Sequence, residues 1–350
     1  MKTKEVIITN KANNNKVQGK KKNPKKKILK YICFFLIFQM VFASIFMPLL
    51  IFYGPFENVK RTITGMSWNT LRHQYIAKFF LSDKAINRIV GSSFASDPYE
   101  NGEEITKLKF DSSHNDKIEI FNIDGGSFNG KLMLIHDPTR IVTGYSNNFP
   151  KSGETTSSIA KRNGMYAAIN AGGFMDQGWS GTGGKPMGFI IHKGKVVYNY
   201  KSNKAKQDTA AFTKDGMLIV GRHSVDQLLE YGVWEGVSFG PPLVVNGKPT
   251  IRSGDGGWGI APRTAIGQRK DGTVILLVID GRRVSSIGAS LRNVQDIFLK
   301  YEAINAVNLD GGSSTTMYVN GKIINIPADA LGERAVSSVF MVSSGKGGGK

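Results

Sequence analysis

Between Tyr31 and Tyr53 lie 23 consecutive residues without a charge, dominated by Phe, Ile, Leu and Met and interrupted only by Gln39 and Ser44. As a helix such a run extends about 34 Å, slightly more than the roughly 30 Å hydrocarbon core of a bilayer. It is therefore a membrane span or a secretory signal. A signal has an apolar stretch of about 7–15 residues ending in a small-residue cleavage site; the length here and the absence of such a site favour an uncleaved anchor. Lys20–Lys22, Lys25–Lys27 and Lys30 directly precede the run. Cationic flanks stay cytoplasmic, so the expectation is a single-pass cell-membrane protein, N-terminus cytoplasmic and everything after Tyr53 extracellular.

The same lysines explain most of the charge. The chain carries a formal +19, of which residues 1–30, with eleven Lys against Glu5, supply +10. These lysines are not interleaved with aromatics and have no partner motif, so they read as a topology signal, and no nucleic-acid partner is expected. With 41% hydrophobic residues the remainder can bury a core, which excludes a disordered chain. The one cysteine, Cys33, lies inside the apolar run. An intrachain disulfide, an iron–sulfur cluster and a zinc ribbon are thereby excluded.

Along the chain the expected organisation is a basic tail (1–30), a transmembrane helix (31–53), a helical stalk and linker (54–115), a folded domain (116–343) and a flexible Gly/Lys tail (344–350). In the stalk, Leu71, Tyr75, Ile76, Phe79, Phe80, Ile86 and Ile89 recur at helical spacing, with a break at Ser82-Asp83. After Lys117 the texture becomes short β-branched runs. Lys193-Gly194, Asp215-Gly216, Asn246-Gly247, Asp271-Gly272 and Asn320-Gly321 stand beside such runs and mark hairpin turns. Two helices interrupt them: one opens at Ser224, whose pairing with Gln227 fits a capping box, and one covers about Leu291–Tyr301. Strands and helices without regular β-α-β alternation predict an α+β class, a mixed and largely antiparallel sheet domain with a few packed helices.

Chemistry-bearing residues gather at three places. Asn170 ends an apolar strand and opens a glycine-rich loop, which can present several backbone donors to an anion or can simply turn the chain. Its spacing fits neither a phosphate-binding P-loop nor a dinucleotide fingerprint. Asp310 follows another strand and precedes Gly311 and Gly312, which holds a carboxylate on a rigid element and leaves it open; a turn aspartate bonding its own backbone is the alternative. Arg263 enters a strand after Pro262 and could grip a phosphate or carboxylate through its planar fork, while Asp280 repeats the strand-Asp-Gly pattern. Glu333-Arg334 adds a charged pair. The five histidines lack zincin spacing, and Gly178–Thr182 lacks the last glycine of a nucleophile elbow. Carboxylates, arginines and amide-rich loops remain, a set suited to glycosyl or phosphate-ester chemistry.

Seven stretches in this order resemble the phosphodiester glycosidase family: Ala168–Phe174, Lys185–Asn199, Phe239–Lys248, Ala261–Gly267, Val278–Arg282, Asn308–Met317 and Gly332–Ser337. They run over about half the chain. The family often has three glycines after the motif aspartate, whereas Ser313 takes the third place here. The resemblance implies hydrolysis of a bond between an anomeric carbon and a phosphate that is itself esterified. Arg263 with Arg334, and the amides of Gly172, Gly173, Gly311 and Gly312, would then stabilise the departing charge. Asp310, next Asp280 or Glu333, would steady the oxocarbenium-like carbon or activate water. Asn170 would orient a sugar hydroxyl, and Thr264, Ser313 and Ser314 would contact substrate. No cofactor is required by this scheme, although oxygen ligands of this kind suit Ca²⁺; no loop has EF-hand spacing, so no metal ligands are assigned. On the outer membrane face such an enzyme would act in envelope or exopolysaccharide metabolism on a sugar-phosphate or glycan substrate. A non-catalytic glycan-binding module using Trp179, Trp234 and Trp258 as sugar platforms, and a glycosyl-phosphate transferase, are the rival readings.

Overall fold

The computed structural model describes residues 24–68, 74–91, 115–175 and 182–345. The basic tail before residue 24, most of the expected linker, Trp179 with the rest of 176–181, and residues 346–350 lie outside the described residues. The chain divides into two units, Met1–Pro55 and Phe56–Lys350.

In the first unit the described residues form one helix, α1, Pro24–Tyr53. Its part Lys27–Tyr53 is long and apolar enough to cross a membrane by length and composition. The helix starts seven residues before the uncharged run, because the lysine flank is itself helix-compatible. Phe34, Ile37, Met40 and Phe46 are all more than half exposed. Such a surface is costly in water and suits lipid.

The second unit begins with three short helices, α2 (Glu57–Trp68), α3 (Gln74–Phe80) and α4 (Asp83–Gly91). The break expected at Ser82-Asp83 is present, and the Ser82 hydroxyl accepts the Ala85 N–H at 3.3 Å, as an N-cap does. The helices expected as a stalk pack within the second unit. A Cβ on Gly65 would fall 2.4 Å from the Gly257 carbonyl oxygen, and one on Gly259 would fall 2.0 Å from Met66 Cγ. Only glycines allow α2 to seat that closely, so these helices are built into the sheet domain rather than standing apart from it.

Three main sheets follow, and every described strand pair is antiparallel. The seven-stranded sheet runs Ile118–Asp124, Asn129–Ile135, Val274–Ile279, Arg263–Arg269, Ala303–Leu309, Pro242–Val245 and Lys248–Pro249. A second sheet is ordered Leu218–His223, Gln207–Thr213, Val233–Val237, Phe189–His192 and Lys195–Asn199. The third is ordered Lys322–Ile323, Met317–Val319, Ala167–Asn170, Ser338–Val342 and Ile141–Tyr145. All five Gly-containing turn dipeptides connect adjacent strands, and Lys193, Asn246 and Asn320 take the positive φ that a two-residue turn demands.

The strand Val274–Ile279 shows how the layers are held. Val274, Leu276 and Val278 enter the core between the sheets; Ile275, Leu277 and Ile279 enter a second core. Strand alternation sends successive side chains to opposite faces, so a continuous apolar run is buried on both. The second core is closed by helix α7, Leu291–Lys300, through Leu291, Val294 and Phe298. Helix α6, Val225–Glu230, carries the expected Ser224–Gln227 capping box and closes the second sheet. Helix α5, Thr156–Arg162, packs on the third sheet and was not anticipated. Being two turns long, it has too short a pattern to distinguish it from a loop.

Candidate active site

Asp310 lies where the seven-stranded sheet meets the third sheet. It follows Ala303–Leu309, whose Leu309 pairs with Thr264. Its N–H donates to the Ala171 carbonyl at 2.9 Å, and its carbonyl accepts from the Asn170 side chain. The backbone under the carboxyl is thus fixed from both sheets, and Gly311 and Gly312 turn the chain away immediately. A Cβ on Gly311 would meet the Pro262 carbonyl oxygen at 2.8 Å, and Gly312 has φ +61°.

The carboxyl is the electrostatic centre of the site. Its Oδ2 is sealed from solvent and has no hydrogen-bond partner. Burial raises its pKa from 3.8 to about 6, against the opposing pull of the Ser314 hydroxyl, the Arg334 guanidinium and the Gly311 N–H. A buried, unbonded carboxylate oxygen is costly for a fold and is a frequent mark of a reacting group.

Two arginines lie near this turn, Arg334 acting on the carboxyl by its charge and Arg282 reaching the residues that follow. Arg334 lies over the Phe174 ring at 5.1 Å, a cation–π contact that places its guanidinium. Arg282 donates from Nη1 to Ser313 Oγ at 2.9 Å, and its Nη2 would lie 3.2 Å from a Cβ on Gly312. Burial lowers the Arg282 pKa, as does the neighbouring Arg334 cation, and Asp329 opposes both. Arg282 also has φ +60°. Of the other non-glycine residues with positive φ among the described residues, three open hairpin turns and Glu302 follows helix α7. Arg282 has no such turn to serve, and strain of this kind is held where surrounding contacts require it. Sequence reading passed over Arg282. Its only signal was its place at the end of Val278–Arg282, where the Asp-Gly pattern drew attention to Asp280.

Several expected contacts are corrected. Arg263 is not at the cleft: its guanidinium is buried and donates to the carbonyls of Ala289, Trp258 and Gly259 at 3.0, 3.0 and 2.5 Å. Desolvation depresses its pKa to about 10. Asp280 is spent on structure, its Oδ1 accepting from Asn325 Nδ2 and the Ile326 N–H at 3.1 and 3.0 Å. Glu333 binds the first turn of helix α5 through the Ser157 N–H and hydroxyl. Asn170 and Thr264 are fully buried; Asn170 Oδ1 accepts from Thr264 Oγ1 and the Thr316 N–H, so neither can reach a sugar. The Gly172 N–H donates to Ser338 Oγ, and the Gly312 N–H to the Pro262 carbonyl. Gly173 packs against the Phe239 ring. Asp310, Ser313, Ser314, Gly311 and Arg334 are brought together with Arg282; the others hold them in place.

Replacement of Arg263 separates these two roles. Arg263→Met removes the donors from three buried carbonyls and is expected to cost about 3 kcal/mol or more in urea unfolding. A substrate-gripping arginine would instead leave the unfolding midpoint unchanged and lower turnover alone.

The carboxylates do not form a metal set. No group of three or more His, Cys, Asp or Glu able to share an ion occurs among the described residues. Asp280, Asp310 and Glu333 each answer to different partners. Two clefts, of about 310 and 540 Å³, are lined by neither Asp310 nor either cleft arginine.

Known proteins resemble this chain in sequence and fold. The phosphodiester glycosidase family profile matches residues 163–343. The SPbeta prophage-derived uncharacterized protein YomE of Bacillus subtilis (strain 168) is 35% identical over 215 residues, covering 59% of this chain and 31% of that protein. The mouse N-acetylglucosamine-1-phosphodiester alpha-N-acetylglucosaminidase is 24% identical over 245 residues, covering 62% of this chain and 45% of the mouse protein. The chain thus spans less than half the length of these curated relatives. Among solved structures, the zebrafish N-acetylglucosamine-1-phosphodiester alpha-N-acetylglucosaminidase catalytic domain, auto-inhibited by its pro-peptide, superposes with a TM-score of 0.57 at 26% identity, covering 68% of this chain and 87% of that one.

Proposed function

This chain belongs to the phosphodiester glycosidase family, and from that premise we propose that it hydrolyses the bond between a sugar's anomeric carbon and a phosphate esterified to a second group. The observation that carries the reading is the unbonded Oδ2 of Asp310 in the field of Arg334, which is itself close enough to Arg282 for the two to repel. Two guanidiniums held together suit an anion with more than one oxygen, and a phosphate provides it.

The chemistry follows from the leaving group. A phosphate monoester departs with the electron pair of the anomeric C–O bond and needs little protonation, so stabilising its charge matters most. Arg282 and Arg334 supply that stabilisation in a partly dehydrated site where charge interactions are strong. Asp310, as carboxylate, steadies the developing oxocarbenium carbon or takes the proton of the water whose oxygen replaces the phosphate. Ser313 and Ser314 orient the arginine and the carboxyl. Phe174 beneath Arg334 supports the assignment of that arginine to the cleft.

The apolar helix and its lysine flank support a membrane-anchored enzyme with its catalytic domain outside the cell, working in envelope or exopolysaccharide metabolism. The non-catalytic reading loses support at its platforms: Lys214 covers the Trp234 ring at 5.1 Å, and Trp258 packs edge-on against Phe239. The test is release of phosphate monoester from a sugar-1-phosphodiester by the full chain in detergent, with and without EDTA. Monoester and free sugar in equal amounts, unaffected by EDTA, is the expected result. Transfer of the sugar to an added glycan in place of water would make it a transferase, and no release at all would remove the enzymatic reading.

A further inference from the structure

The loops that lead to Arg282 and Arg334 also carry exposed apolar side chains. Val284 and Leu331 are 105% and 96% exposed, and Ile287 and Ile326 about half exposed. Single exposed apolar residues are ordinary; four on two joined loops beside a charged cleft are not. The loops 281–287 and 326–332 are fastened to one another. Arg283 Nη2 donates to the Pro327 carbonyl at 3.2 Å, and the Asp329 carboxylate attracts Arg282. Both loops hang from Asp280, whose carbonyl accepts from Ser286 Oγ at 2.7 Å and whose Oδ1 accepts the Ile326 N–H. The two tied loops thus form one edge that carries Arg282 together with exposed aliphatic side chains.

From this juxtaposition we propose that the second ester on the substrate's phosphate is a long apolar chain, which the Val284, Ile287, Ile326 and Leu331 rim receives while Arg282 and Arg334 hold the phosphate. The charge of the phosphodiester matches the guanidiniums, and an alkyl chain leaving that phosphate is the part of the substrate that reaches the aliphatic side chains. A sugar or glycerol in that place would face four aliphatic groups with no hydrogen bond to offer. The proposal rests on the hydrolase reading above and specifies its substrate class as a lipid-linked sugar phosphodiester.

The test uses the full chain in nanodiscs of zwitterionic lipid, with water-soluble hexyl and methyl esters of the same sugar 1-phosphate. The parent is expected to favour the hexyl ester in kcat/KM by about tenfold or more, and the Val284→Ser/Leu331→Ser double variant to bring the ratio close to one. Both positions lie in solvent, so the variant keeps its fold. A ratio near one in the parent, or one that survives the double substitution, overturns the proposal. If the variant instead loses binding to anionic vesicles with the hexyl-to-methyl ratio unchanged, the rim contacts the bilayer and the substrate assignment falls. Calorimetry with hexyl phosphate and methyl phosphate keeps the two readings apart. Hexyl preference without hydrolysis of either ester sinks the enzymatic reading and leaves the rim standing; equal binding sinks the rim.

Discussion

Asp310→Asn is expected to lower turnover of a sugar-1-phosphodiester by at least about a thousandfold and, in the same protein, to raise thermal stability at neutral pH. Asparagine keeps the volume and can still accept from the Gly311 N–H and Ser314, but it can neither take a proton nor face a cation with full charge. The stability gain follows from the pKa. Burial lifts the carboxyl from 3.8 to about 6, so the folded chain binds that proton more tightly than the unfolded one. This contribution to stability is complete below 3.8 and is lost as pH rises to about 6. At pH 7 the folded domain therefore carries a charged carboxylate at a cost of roughly 1–3 kcal/mol, which the amide removes. The parent's kcat/KM should climb as pH rises through about 6 and level off above it. A variant that is inactive but not stabilised, or a parent without this acid limb, would show that Asp310 is a structural turn residue.

Arg334→Gln is expected to lower kcat/KM by about a hundredfold or more, with Arg282→Gln close behind. Arg334→Lys restores part of the loss, since it returns charge without the planar fork. The two arginines differ in a second readout. Arg334 lowers the Asp310 pKa, so its removal moves the acid limb of the pH profile upward. Arg282 makes no such contribution to Asp310; it repels Arg334, and its removal relieves that repulsion while the positive φ stays with the new side chain. Arg282→Gln should therefore leave the limb in place and raise the urea midpoint slightly. Equal activity losses with identical pH profiles would assign both arginines to one undivided role.

The hairpins, the cap of helix α6 and the uncharged run of α1 were decided by residues close in sequence. A turn needs positive φ at adjacent positions, a cap needs an acceptor three residues from an N–H, and a span needs uninterrupted apolar length. The backbone around Asp310 was set in the same way, by a strand end followed by two glycines. Which arginine would reach it was not. Arg263 and Arg282 both flank apolar strands and look alike in sequence, yet one closes three buried carbonyls and the other faces the cleft. That difference depends on the carbonyls of Trp258, Gly259 and Ala289, which have no mark in the sequence until the chain folds. The partners of Asp280 and Glu333 were hidden likewise, because the N–H groups of Ile326 and Ser157 that bond them lie 46 and 176 residues away. Local sequence sets backbone shape and leaves each charged group a choice of partners; only the tertiary packing, by desolvating some partners and exposing others, makes that choice.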